Sequence, residues 1–173
     1  MGIKEIIAKK WLSKIAVKTQ RVTEIPNLDL VKKVGVLWQP EQKDAFHYLQ
    51  NYFNKRQVVL RHLCVYSENI ELAAESNALI PKDLNWLGFP KSGKVDNFIE
   101  MNFDILLNVA MIQNVTLDYL TLVANAKFKV GGQTEADIKN YFDMNINIGQ
   151  NKNALYLAEQ QIFYLDRLNN KNK

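Results

Sequence analysis

Apolar positions in this chain alternate between short runs and helical stripes, and that alternation predicts its elements. The central stretch is Phe103 to Gly131, FDILLNVAMIQNVTLDYLTLVANAKFKVG. Ile105 to Ala110 is apolar except for Asn108. It is too short for most helices and suits a strand buried on both faces. Asp104 marks its polar entry. After a polar turn, Thr116 is placed to cap a helix. Leu117, Leu120 and Val123, with Ala124, then recur at helical spacing and give that helix an apolar face. Ala126 to Val130 predicts a second strand, stopped by Gly131-Gly132. So short a crossover makes the two strands parallel neighbours with a right-handed connection.

The flanking segments extend this unit. Residues 3–18, IKEIIAKKWLSKIAVK, predict a helix with Ile7, Trp11 and Ile15 in one row and Ala8 and Leu12 beside it. Lys9, Lys10 and Lys14 lie mostly opposite, while Lys4 and Lys18 intrude on the apolar side. Thr19 to Asp29, with Pro26, reads as a connector. Val34 to Trp38 predicts the first strand. Pro40 then opens a helix to about Lys55, with Ala45, Phe46, Leu49, Tyr52 and Phe53 as its buried stripe. Val58 to Tyr66 alternates as a second strand, with Arg61 and Leu63 on one face and His62 and Cys64 on the other. Glu68 to Ala78 carries no clear pattern. Beyond it come a short strand near Ala78 to Ile80 and a compact connection, Lys82 to Pro90, pinned to the core by Trp86 and Phe89. A short helix at Val95 to Met101 feeds the central strand. After Gly132 come a helical turn around Ala136 to Tyr141, an edge strand at Met144 to Ile148, and a last helix with Leu155, Ala158, Ile162 and Leu165 on its apolar face.

Together these elements predict an α/β fold, a three-layer sandwich with a mostly parallel, Rossmann- or flavodoxin-like sheet. A basic amphipathic helix and connector fill residues 1–29, a single domain fills 30–168, and 169–173 form a polar tail. Composition agrees, since 47% hydrophobic and 23% charged residues suit one globular domain with a real core. Cys64 is the only cysteine, which excludes an intramolecular disulfide and points to a reducing compartment. No apolar run reaches the roughly 20 residues of a membrane span, and no signal-peptide pattern opens the chain. The expected location is the cytoplasm.

Charge changes the picture more. The net charge is +4, but residues 1–33 carry +5 and the remainder −1. A basic arm on a near-neutral domain suggests an anionic partner, and Lys9, Lys10, Lys14 and Lys18 are its candidate contacts. The plain alternative is a solvated face on a helix that packs by its other side.

Other candidate chemistry is sparse. Gly88 to Lys94 fits the G-x4-G-K spacing of a phosphate-binding loop. Val95, however, sits where Ser or Thr should hold magnesium, and Pro90 removes an amide that a phosphate nest needs. The expected reading is a surface turn. His47 and His62 have no partner at metal-ligand spacing, and one cysteine makes no zinc site. No cofactor is expected. In a parallel sheet, ligands bind beyond the carboxyl ends of the strands, where Gln39, Gln113, Asn114 and Thr116 offer neutral hydrogen-bonding groups. Such a set suits binding better than bond-breaking.

The stretches KDLNWLGFPKSG, NFDILLNVA and ANAKFKVG resemble a family of uncharacterised small cytosolic α/β proteins from Bacteroidota, over roughly residues 30–168. That resemblance implies a fold and no catalytic residues. A second one rests on Phe103-Asp104 and Lys129-Val130-Gly131, which are similar to the first Rossmann-like half of heptosyltransferase-type glycosyltransferases. Those enzymes use a second half to hold the sugar donor, and this length has room for one half. Fold likeness alone does not carry their activity over.

Two functional readings follow. The leading one is a non-catalytic binding or accessory protein that docks through its lysine-rich helix, on RNA or a ribosomal surface ahead of a membrane surface. The other is an enzyme or sensor that holds a nucleotide or similar small ligand at the strand ends. Self-association through Trp11 and Ile15 is a further expectation.

Overall fold

A computed structural model describes residues 1–73, 76–133 and 141–170. Among these, the sheet has six strands: β1 (Lys33–Trp38), β2 (Val59–Val65), β3 (Ala78–Leu79), β4 (Phe103–Asn108), β5 (Ala126–Gly132) and β6 (Met144–Ile146). The helices are α1 (Ile3–Lys18), α2 (Lys43–Asn54), α3 (Asp96–Ile99), α4 (Val115–Val123) and α5 (Ala154–Asn170). Every strand pairing is parallel, and the order is β3-β2-β1-β4-β5-β6. The predicted β4-α4-β5 unit is present, with Ile105 opposite Phe128 and Leu107 opposite Val130.

Alternation along the central strands divides the core in two. Val34, Val36, Ile105, Leu107, Phe128 and Val130 face α2 and α5, where they meet Phe46, Leu49, Phe53, Leu157 and Ile162. Leu37, Leu63, Phe103 and Leu106 face the other way, onto Phe98, Leu117 and Leu120. Gly35 is required on this second face. A methyl group there would come within 2.9 Å of both the Leu106 side chain and the Phe103 ring. Short strands β3 and β6 close the two edges, which limits the unpaired backbone offered for sheet-to-sheet association.

Asp104, at the entry of β4, accepts from the Lys32 and Lys33 amides at 2.9 and 3.0 Å and lies 3.6 Å from the Lys127 ammonium. The connector after α1 is held to the start of β5. Arg21 donates to the Lys127 carbonyl at 3.0 Å and pairs with Asp143. Glu24 N–H bonds the Lys127 carbonyl as well.

Several expectations are corrected. Asn114, not Thr116, caps α4, because its carboxamide oxygen accepts from Leu117 N–H at 2.9 Å. Phe89 pins the 82–90 connection as expected, but Trp86 does not: it is 64% exposed, and Leu87 is buried in its place. In α1, Ala8 and Leu12 make the buried row, while Trp11 turns outward at 51% exposure. The last helix runs on to Asn170, through the start of the expected polar tail. Most of the helical turn expected around 136–141, and residues 171–173 of the tail, lie outside the described residues.

Candidate functional site

Two places satisfy part of what a functional site requires. The first is the carboxyl edge of the sheet where the strand order reverses, between β1 and β4. In an open parallel sheet the connections leave in opposite directions there, which opens a crevice. From β1, Trp38 stacks on Phe46 with centroids 4.4 Å apart and planes 4° from parallel. Its indole N–H donates to His62 Nδ1 at 3.2 Å. Burial holds the His62 pKa below its usual value, so the imidazole is neutral and free to accept that bond. Gln39 follows immediately, and its backbone N–H donates to Gln42 Oε1 at 2.7 Å, which turns the chain into α2.

From β4 comes Asn108, fully buried in an apolar strand. Its amide nitrogen donates to Gln113 Oε1 at 3.0 Å and to Thr121 Oγ1 at 3.2 Å. Its amide oxygen accepts from Ala110 N–H at 2.9 Å and from Gln113 Nε2 at 3.3 Å. Gln161 of α5, also fully buried, donates through Nε2 to the Asn108 carbonyl at 2.9 Å. Among the described residues, its Oε1 has no hydrogen-bond partner. Lys129 of β5 lies on the α4 side, 2% exposed. Its ammonium donates to the carbonyls of Thr121 and Leu122 at 2.6 and 2.9 Å, the orphan acceptors at the end of α4. Burial, with the nearby Arg21 charge adding to it and Asp143 opposing it, brings the Lys129 pKa down to about 7.

Of the strand-end residues expected to meet a ligand, most are engaged within the fold. Gln113 is tied to Asn108 and to the Ala110 carbonyl, Asn114 caps α4, and Thr116 donates to the Gly88 carbonyl at 2.8 Å. Sequence reasoning named Lys129 only for its likeness to a glycosyltransferase half and did not single out Gln161. The signal for Lys129 was a lysine at an inward position of a strand otherwise apolar at that depth. Gln161 sits on the apolar stripe of α5, where a glutamine reads as an ordinary helix former.

The second place is α1. It lies outside the three layers and packs on α4 and the 84–90 connection. Ala8 and Leu12 meet Leu87, Phe89 and Leu122, with Ile15 and Ala16 beside them. Gly88 to Lys94 has no phosphate-loop geometry. Gly88 to Pro90 end an antiparallel turn closed by the Leu84–Pro90 bridge, and beyond it Lys94 pairs with Asp83 at 2.8 Å. Asn85 Oδ1 accepts from Leu87 N–H at 2.9 Å and Phe89 N–H at 3.1 Å, which shapes the turn that seats α1. Phe89 stacks on Tyr119 of α4 at 5.2 Å.

The far side of α1 carries Ile3, Ile6, Lys10, Lys14 and Val17, spaced three and four residues apart and so on one stripe. All five are exposed, and Lys4, Trp11 and Lys18 flank them. Lys9 pairs with Glu5 at 3.1 Å. Lys4, Lys10, Lys14 and Lys18 make no ion pair among the described residues. Lys14 sits over the Trp11 ring, 5.3 Å from its centre. On the packed side, Asp118 of α4 has its pKa pushed up to about 6 by burial, with Lys9 opposing the rise.

No group of three or more potential metal ligands occurs among the described residues. Nor is any helix among them long and apolar enough to cross a membrane. No curated protein and no solved structure matches the chain. A model of a protein family of unknown function (DUF6913) matches residues 4–168, from α1 through α5, and the chain belongs to that family.

Proposed function

We propose that this protein is a non-catalytic docking or accessory protein whose first helix carries it onto an anionic surface. One observation carries the reading: Lys4, Lys10, Lys14 and Lys18 stand clear of the face that packs on α4 and have no carboxylate partner among the described residues. Clustered ammonium groups left without internal partners are free to meet external anions, and they do so with strong salt dependence. Lys9 contributes less, since Glu5 already neutralises it.

Removing α1 is a poor test, because it would expose Leu87, Phe89 and Leu122. The informative variant changes Lys4, Lys10, Lys14 and Lys18 to Gln. It should fold like the parent and lose binding to polyanions, whether single-stranded RNA or anionic vesicles, at low salt. Unchanged binding to both would refute the reading.

A second reading, a small ligand held at the strand ends, has the unpaired Gln161 Oε1 in its favour. Gln113, Asn114 and Thr116 weigh against it, because their side chains are already bonded within the fold.

A further inference from the structure

We infer that the anionic surface is a lipid bilayer, with α1 lying in its interface. This rests on the docking reading and narrows it to one partner. Phosphate recognition by RNA-binding proteins needs cations and hydrogen-bond donors, with flat rings where bases stack. It does not require exposed branched aliphatic side chains. The outer stripe of α1 presents Ile3, Ile6 and Val17 at 78%, 52% and 74% exposure. They sit at the two ends of the stripe, with Lys10 and Lys14 in the turns between. Trp11, 51% exposed, stands on the flank beneath the Lys14 ammonium.

That combination matches the interface of an anionic membrane. Aliphatic side chains enter the boundary of the acyl region, an indole settles at headgroup depth, and long lysine stems reach back to the phosphates. α1 is also free to lie flat. Its opposite face is anchored on α4 by Ala8 and Leu12, so the helix presents one side only. An aliphatic stripe alone would fit a second copy of this chain equally well. Unpaired lysines running through that stripe would then face each other across a two-fold axis, which like charge disfavours.

The test uses the full chain and vesicles of phosphatidylcholine, with or without phosphatidylglycerol, in co-sedimentation. Two variants accompany it: the lysine-to-glutamine set, and Ile3→Ser with Ile6→Ser and Val17→Ser. The serine variant keeps every charge and leaves the α4-facing row intact, so its melting temperature should match the parent's. The parent should sediment with the anionic vesicles and not with the neutral ones. The serine variant should lose about tenfold or more of that affinity, as expected for aliphatic side chains no longer buried, while keeping any RNA binding. Equal vesicle binding by parent and serine variant would overturn bilayer insertion. Binding to RNA without binding to vesicles would overturn it too, and leave the docking reading intact. Binding to neither would overturn both. A parent that light scattering shows to be a dimer, monomeric in the serine variant, would assign the stripe to self-association and overturn the inference.

Discussion

The carboxyl edge of the sheet and the outer face of α1 invert the usual distribution of side chains. At the sheet edge, Asn108, Thr121, Lys129 and Gln161 are polar and almost wholly buried. On α1, Ile3, Ile6, Trp11 and Val17 are apolar and exposed. The buried polar groups are bonded to one another or to the backbone, apart from Gln161 Oε1, so they stabilise a single arrangement. The exposed apolar groups leave half or more of their surface to solvent, so they contribute less to the fold. A buried polar network is therefore accounted for by the fold itself, whereas an exposed aliphatic and cationic stripe is not, and the docking proposed above is our reading of it.

The sharpest way to break this contrast is Asn108→Leu. It strips the bonds to Gln113, Thr121 and Ala110 N–H, and takes that partner from the buried Thr121 hydroxyl and the buried Ala110 N–H, so denaturant unfolding should show a loss of about 3 kcal/mol. Lys129 gives a pH signature next in size. Its folded pKa, about 7, lies far below the ordinary lysine value, so between those limits the unfolded chain binds more protons. Stability should therefore climb with pH, by about 2 kcal/mol between pH 7 and pH 9, at about 1.4 kcal/mol per unit of pH once titration is well advanced. In Lys129→Met that climb should vanish.

Asp118 works in the opposite sense. With its pKa raised to about 6, the folded chain holds a proton that the unfolded one has released. Stability is then greatest below the ordinary aspartate range and declines as pH rises through about 6. Asp118→Asn should stabilise the protein at pH 7 by about 1 kcal/mol and flatten that decline, as read by melting temperature across pH. The smallest effect belongs to the outer stripe. Ile3→Ser with Ile6→Ser should change stability by about 0.5 kcal/mol or less, since neither side chain is buried. A large loss there would show that the stripe serves the fold after all.

Much of the architecture was readable in the residues. Periods of two and of three to four are local properties, and the Ile105 to Ala110 run, the α4 stripe and the Gly131-Gly132 stop gave the central unit directly. The +5 charge of residues 1–33 likewise singled out the first helix. Which side of that helix would pack was not readable. Ile7–Trp11–Ile15 and Ala8–Leu12–Ile15 are both rows with helical spacing, and larger side chains favour the first. Close approach of α1 to α4 favours the second, because Ala8 and Leu12 fit against Leu87, Phe89 and Leu122.

The sequence by itself determined the layered α/β class, the parallel β4-α4-β5 unit and the segregation of basic charge. Those follow from spacing and composition, which act over a few residues at a time. Only the tertiary structure decided that Asn108 would bond Thr121 on one face and receive Gln161 from the other, that Lys129 would reach the last carbonyls of α4, and that Trp11 would face outward. Hydrogen bonds and helix contacts between residues far apart in the chain depend on how whole elements are placed, and no local pattern encodes that placement.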